Sequence, residues 1–374
     1  MFVKNAPGGR LLFVVGSGRL DPASIKRVYD LLPFLQRLGY KTDVVSYRWE
    51  WLWHMRGRAA QNEAVPRGLL RTLNAARLTS VLIRRRERRV KQRLERLASR
   101  ADVVIVLQTF LDESWRDALR RSARPLVYEF DDAVWLNDEN GFAEMMSLAH
   151  TVVAGNGFLA THARHLHTRV CTIPTGVRLD RYEAAPERHE KDGNEFVIGW
   201  LGSPSTVRYL EQMVEPLAEL GAQMSVAFEI VGSGSSSLPA FRNVEVHSRP
   251  RIPYDPVRFA PGFDVGVMPL EDTPWERGKC GAKLLEYMAA ALPAVCSRVG
   301  ENRRIVENGV SGFLVHGRDE WVSALSKLAR DPDLRRRVGL AARERVRAAY
   351  CSQTVALLWD ECLATVYRLQ GSRC

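Results

Sequence analysis

Three charged residues near position 280 have the types and spacing for phosphate chemistry. Lys279, Lys283 and Glu286 stand at i, i+4 and i+7. A helix beginning at about Lys279 would put them on one face and Leu284 and Met288 on another. Two ammonium groups beside helix N–H groups would neutralise a diphosphate, and a carboxylate one turn deeper could accept both hydrogen bonds of a ribose diol. The same spacing also suits an ordinary Lys/Glu ladder on a helix surface.

Two glycine turns invite a second phosphate reading. Gly16-Ser17-Gly18 and Gly232-Ser233-Gly234 each end an apolar run, where a turn lets phosphate approach backbone N–H groups. Asp21 and Ser237 occupy the third glycine place of G-x-G-x-x-G, so the dinucleotide fingerprint is incomplete, and no Walker A lysine motif is present. Glu129, Asp131 and Asp132 follow the apolar run Leu126–Phe130. They admit three roles: a metal motif, a pair orienting a hydroxyl, or, for Asp132, a helix N-cap. The six cysteines contain no Cys-x-x-Cys, which favours reduced thiols. Cys171 with His162, His165 and His167 is the one local concentration of zinc-type ligands, and neither metal nor cofactor is expected there.

These groups need a scaffold, and the apolar pattern supplies one. Leu11–Val15, the Gly16–Gly18 turn, an Asp21-Pro22 helix start, the periodic Ile25, Val28, Leu32 and Leu35, a stop at Gly39 and the run Asp43–Ser46 read as one β-α-β unit. Strands are expected at Val103–Leu107, Leu126–Phe130, Thr151–Ala154 and Val170–Ile173, with helices between them. After the polar linker Pro186 to Asn194 the pattern restarts at Phe196–Leu201, Ala227–Val231, Val244–His247, Val265–Met268, Ala294–Cys296 and Phe313–Val315. Strands apolar on both faces, alternating with helices, imply parallel sheets covered on both sides. The fold class is therefore α/β, with two doubly wound Rossmann-like domains, 1–186 and 195–350. The last of the amphipathic helices between Asp331 and Leu369, about 353–374, is expected to return to the first domain.

The 374 residues suit two domains, and 46% hydrophobic with 26% charged residues exclude a disordered or fibrous chain. No apolar run is long enough for a membrane span and the start lacks a secretion signal, so the expected location is cytoplasmic. Net charge is +11, and most of it lies between Arg67 and Arg100, where Glu87 and Glu95 are the only acids. That stripe is either a solvated helix face or a contact for an anionic acceptor or the inner face of a membrane. The Arg84–Arg89 run lacks the stacking aromatics that nucleic-acid binding would need, so no nucleic-acid partner is expected. Trp49, Trp51 and Trp53 form an unusual cluster, either packed at a strand edge or set in an acceptor-binding or membrane-touching loop.

The order of motifs from Trp275 to Val315 resembles the donor-binding half of glycosyltransferase family 4. It runs through Trp275–Cys280, Lys283–Ala289, Leu292–Val295, Gly300–Val306 and Asn308–Val315. Ile198–Thr206 and Tyr128–Trp135 also resemble a bacterial branch of that family. The resemblance implies a GT-B fold, two Rossmann-like domains facing a cleft, with an acceptor domain first and a nucleotide-sugar donor domain second. It implies transfer of a sugar, with retention, from a nucleoside diphosphate to a small-molecule, lipid-linked or glycan acceptor.

Glu286 matches the second glutamate of the family's E-x7-E motif, which holds the donor ribose, while the first glutamate's place is Gly278. Its work on the sugar hydroxyls would pass to backbone groups or to Glu276 or Asp272. The family's arginine and lysine after the first strand of the donor domain read here as Ser203, just past Gly202, and Arg208. Asp131 stands where the family often has a histidine, which makes Asp131 and Asp132 the catalytic candidates. Arg208, Lys279 and Lys283, with Gly16, Ser17 and Gly18, are the diphosphate candidates; Gly202, Ser203, Glu276 and Gly278 are those for the sugar or its loop. Fixed charges in these places would replace a metal ion. A nucleotide-sugar 2-epimerase, a metal-dependent transferase using Glu129–Asp132, and a pyridoxal-phosphate phosphorylase are the competing readings.

Overall fold

The computed structural model describes residues 8–19, 21–47, 76–122, 124–183, 195–234, 236–249, 256–259 and 262–371. The Trp49–Trp53 cluster, the part of the basic stripe before residue 76 and the linker Pro186 to Asn194 lie outside them.

Two units divide the chain: 1–175 with 355–374, and 176–354. In the first, β1 (Arg10–Val15), β2 (Lys41–Ser46), β3 (Val103–Leu107), β4 (Leu126–Phe130), β5 (Thr151–Ala154) and β6 (Val170–Thr172) make one parallel sheet in the order β2-β1-β3-β4-β5-β6. Every residue of β3, β4 and β5 is buried, as strands covered by helices on both faces require. The first crossover is less regular than its periodicity suggests. It is a short helix, Pro22–Ser24, capped by Asp21 through the Ser24 N–H at 3.0 Å, then a π-turn, Ile25–Tyr29, and a helix, Leu32–Arg37. Pro33 lies in the first turn of that last helix, where its missing N–H costs no hydrogen bond.

Within the second unit β7 (Phe196–Leu201), β8 (Val226–Val231), β9 (Glu245–Arg249), β10 (Val265–Met268), β11 (Ala294–Ser297) and β12 (Phe313–Val315) form a parallel sheet, β12-β11-β10-β7-β8-β9. This is the doubly wound Rossmann order, and its reversal falls between β7 and β10. Glycines let large rings lie directly on the sheet there. A Cβ at Gly199 would come within 2.0 Å of the Phe263 ring, and one at Gly266 within 2.2 Å of Tyr287. The Tyr287 hydroxyl in turn accepts the Leu201 N–H at 2.7 Å, which fixes the end of β7.

The final helix, Ser352–Gly371, belongs to the first unit from Val355 onward. Val355, Trp359, Leu363 and Val366 enter the same core as Leu11, Phe13 and Val15 of β1 and Val103 and Ile105 of β3. The Tyr40 hydroxyl donates to Asp360 at 2.6 Å inside that contact. Leu94 and Ala98 are buried on the long helix Ala76–Ala98, while Arg84, Arg85, Arg88, Arg89, Arg93 and Arg96 are exposed, so the described part of the basic stripe lies on a solvent face. Among the described residues no helix is long and apolar enough to cross a membrane.

Candidate functional site

Ligands of doubly wound sheets bind beyond the carboxyl ends of the strands at the switch point, and in the second unit that place is the end of β7 and β10. At the end of β7 a Cβ at Gly202 would sit 1.7 Å from the Trp200 ring, so the glycine is what lets that ring lie there. Ser203 caps the 3-10 helix Pro204–Met213 through a reciprocal bond with Thr206. The helix brings Arg208 and Thr206 toward the loop after β10. Lys283 places its ammonium 3.4 Å from Thr206 Oγ1 and 5.0 Å from the centre of the Trp200 ring. Such a cation–π contact steadies a lysine without neutralising it.

Glu276 is the hub of the loop after β10. Its carboxylate is 1% exposed and accepts from Arg208 at 3.0 Å, from the Tyr209 hydroxyl and from the Thr273 hydroxyl. Burial works to raise this carboxyl, and the bonds from Thr273, Tyr209, its own backbone N–H and Arg208 outweigh it, leaving Glu276 below the usual carboxylate range. Asp272 is tied to Arg277 at 2.6 Å, a bond that holds its pKa down. The loop after β11 braces the assembly. Ser297 Oγ accepts the Leu270 N–H at 2.8 Å, Asn302 holds the Ser297 carbonyl at 3.0 Å, and Gly300, at φ +50°, lies against the Arg277 backbone. Burial lifts the neighbouring Glu301 carboxyl to about 7, with Arg304, 3.7 Å away, pulling it down.

One expectation is corrected here. The helix runs from Ala282 to Ala289, with Gly281 as its N-cap at φ +67°, so Lys279 precedes it and does not share a face with Lys283 and Glu286. A glycine in the left-handed region stops helical geometry from extending backward. Lys279 instead lies with its ammonium 5.5 Å from the Trp275 ring centre. Lys283 is in the first turn, and Glu286 is buried one turn deeper beside Leu284, Leu285 and Met288. Gly278 is buried at the C-cap of the helix Pro274–Arg277.

In the first unit Asp131 and Asp132 follow β4, held by a residue that the spacing does not reveal. Gln108, at φ +38°, accepts the Asp131 N–H on its side-chain oxygen at 3.2 Å and donates to the Asp132 carboxylate at 3.3 Å. A non-glycine in that backbone region is strained and persists only when its surroundings fix it. Burial, then the adjacent Asp132 carboxylate, push Asp131 well above its ordinary pKa. The N-cap alternative for Asp132 is not what forms: Ala133 caps the 3-10 turn Val134–Leu136, and Asp138 caps the next helix. Glu129 is locked to Arg27, whose Nε donates at 2.6 Å. Gly16, Ser17 and Gly18 also lie in the first unit, and the Gly18 N–H is taken by Ser46 Oγ at 3.2 Å. His162 stacks on Trp135 at 3.9 Å, His167 bonds the Arg169 and Ala149 carbonyls, and Cys171 bonds Cys362.

Residues 195–331 match the family model described as glycosyl transferases group 1. That match falls within the second unit. The family resemblance drawn from the Trp275–Val315 motifs is thereby borne out. Over 194 residues the chain is 29% identical to D-inositol 3-phosphate glycosyltransferase of Corynebacterium jeikeium, covering 45% of each. It is 24% identical to the capsular polysaccharide biosynthesis glycosyltransferase CapM of Staphylococcus aureus, covering 49% of each. The alignments thus span about half the length of these curated relatives. The structure of Anabaena Alr3699/HepE in complex with UDP-glucose superimposes with a TM-score of 0.64 at 15% identity, over 96% of this chain and 100% of that one. With two six-stranded parallel sheets, the fold is GT-B.

Two features of the second unit's site were not legible from its motifs. Tyr209, which surrounds the Glu276 carboxylate with Arg208 and Thr273, carries no spacing signal, because its contact joins positions 67 residues apart in sequence. Trp200, the ring under Lys283, reads as ordinary strand core until the missing Cβ of Gly202 is seen to make room for it.

Proposed function

We propose that the chain is a retaining glycosyltransferase that moves a sugar from a nucleoside diphosphate donor to an acceptor hydroxyl without a metal ion. The carrying observation is the position of Lys283 and Arg208 at the β7/β10 switch point of a group 1 glycosyltransferase domain. In such a transfer the bond from the anomeric carbon to the diphosphate breaks through an oxocarbenium-like state, and negative charge builds on the departing phosphate. Lys283, in the first turn of its helix, and Arg208 meet that charge, with Lys279 at the rim. Glu286 holds the ribose diol. Glu276 spreads its hydrogen bonds over Arg208, Tyr209 and Thr273, so its role is to aim Arg208 and shape the loop; contact with sugar hydroxyls then falls to backbone groups near Gly202, Ser203 and Gly278. For Asp131 and Asp132 the role is to orient the acceptor hydroxyl.

The metal-dependent alternative would use Glu129, and its carboxylate is already committed to Arg27. Among the described residues no cluster of three His, Cys, Asp or Glu side chains is placed to hold an ion. Turnover that EDTA abolishes and manganese restores would overturn the fixed-charge reading. A 2-epimerase would convert the nucleotide sugar with no acceptor present, which product analysis detects. The basic helix face from Arg84 to Arg96 supports peripheral contact with an anionic membrane or acceptor on the cytoplasmic side. Affinity for anionic liposomes that does not change with salt would leave it a solvated face.

Calorimetric titration tests the donor site. UDP and uridine are the first probes, because Alr3699/HepE was solved with UDP-glucose. Lys283→Ala weakens the diphosphate more than the free nucleoside, and Glu286→Ala weakens both alike, each lost bond to a charged group costing roughly 1.5–3 kcal/mol. Near-wild-type affinity of Glu286→Ala for every nucleoside diphosphate would remove the ribose assignment.

A further inference from the structure

Two thiols that play no part in the transfer reaction lie in contact in the first unit. Cys171 is on β6 and Cys362 on the final helix, 191 residues apart in sequence, with their sulfurs 3.0 Å apart. Both mounts are fixed. Cys171 pairs in register with Val153 of β5, and Cys362 lies two residues beyond Asp360, which Tyr40 grips at 2.6 Å. Trp359 and Leu363 flank it in the core. Among the described residues the other thiols have different neighbours: Cys280 and Cys296 bond backbone carbonyls, and Cys351 sits against Thr354 and the Arg347 carbonyl.

We propose that Cys171 and Cys362 are a redox-responsive pair that a small-molecule disulfide converts to a protein disulfide. Exposure sets the order of attack. Cys171 is half-buried and reachable, while Cys362 is 6% exposed. The Cys362 thiol donates to the Cys171 sulfur, and this bond, against burial and the Glu361 charge, holds Cys171 below the ordinary thiol range. Its thiolate attacks one sulfur of the reagent R–S–S–R, forming a mixed disulfide and expelling RS⁻. The Cys362 sulfur then attacks the Cys171 sulfur, and its proton leaves with the second RS⁻. Two thiols are oxidised and one external disulfide is reduced to two thiols. The sulfurs need to close from contact to the roughly 2.0 Å of a disulfide bond, a shift within the reach of side-chain rotation.

The position gives the bond leverage. The chain leaves the first unit after residue 175 and returns at 355, so a bridge from 171 to 362 staples the two segments through which the second unit is inserted. Closing a loop of that length restrains the unfolded chain strongly.

Treating the purified full chain with oxidised glutathione, followed by proteolysis without reductant and mass spectrometry, tests the pair. The expected result is a linked peptide joining Cys171 to Cys362 with two hydrogens lost, and a rise of about 5–10 °C in the first unit's thermal transition that dithiothreitol reverses. Cys171→Ser, a change at a half-buried position, abolishes both effects. Glutathione retained on Cys171 as a mixed disulfide, or both thiols still open to alkylation after the treatment, would overturn the proposal, and either is read on the unmutated protein.

Discussion

Arg27→Met tests how the first unit secures its acidic segment. Arg27 is 4% exposed and Glu129 1%. The guanidinium reaches the carboxylate through Nε at 2.6 Å and through a terminal nitrogen, and both terminal nitrogens donate to the Ile173 carbonyl at 3.1 Å. Methionine fills most of the volume and supplies no donor, so Glu129 stays buried without its counter-charge. Breaking a buried pair from one side costs about 3–5 kcal/mol, which for a unit of this size lowers Tm by roughly 10 °C. The loss has a direction with pH. Burial already raises the Glu129 carboxyl above its ordinary value while Arg27 holds it down, so removing Arg27 lets it rise further. A carboxyl raised in the folded state contributes stability that is present below its unfolded pKa and lost as pH rises through the folded one. The deficit of Arg27→Met should therefore be smaller near pH 5 than near pH 8, and Arg27→Met with Glu129→Leu should recover much of it. Thermal melts of the three proteins at both pH values decide the matter. Equal deficits at the two pH values, or a fall of less than about 2 °C, would refute the buried-pair account.

Glu301→Gln should flatten the stability of the second unit between about pH 4.5 and 7, the window in which the raised Glu301 carboxyl of the native protein loses its proton and its contribution; urea midpoints across that range measure it, and parallel curves would contradict it. Gly202→Ala must displace the Trp200 ring, 1.7 Å from the new Cβ, and with it the support of Lys283, so nucleoside diphosphate affinity should fall more than free-nucleoside affinity; calorimetry with both ligands reads the difference. Gln108→Gly relieves the φ +38° strain but removes both bonds to Asp131 and Asp132. Transfer should fall by roughly tenfold or more, as expected when about 1.4 kcal/mol of positioning is lost, with little change in Tm; a drop in Tm with full activity would show that Gln108 serves the fold alone.

Most of the strands among the described residues were legible as short apolar runs bounded by turn residues, and β3, β4 and β5 are buried along their whole length, whereas β9 is polar and largely exposed. The start of the Lys283 helix was not, because a glycine followed by Ala-Lys-Leu-Leu reads as continuous helix until Gly281 is seen in the left-handed region. The first crossover looked continuous for a similar reason: Ile25, Val28, Leu32 and Leu35 keep helical spacing through a π-turn and a break at residue 31. At the site, local pattern identified the charged residues and missed their partners. Arg27 with Glu129, Gln108 with Asp132, and Tyr209 with Glu276 join positions 102, 24 and 67 apart, and a single sequence carries no periodic signal over such distances.

The return of the final helix sets the order in which the chain can fold during synthesis. When residue 175 has emerged, the first sheet still lacks Val355, Trp359, Leu363 and Val366 over β1 and β3. All of the second unit must be translated first, a wait on the order of 10–40 s at roughly 5–20 residues per second. The second unit, continuous in sequence, can finish while the first remains open along that apolar face. Dissecting the protein for expression therefore cannot stop at residue 175: the fragment that carries Asp131 and Asp132 needs residues 355–371 joined back to it, or it presents Leu11, Phe13 and Val15 to water.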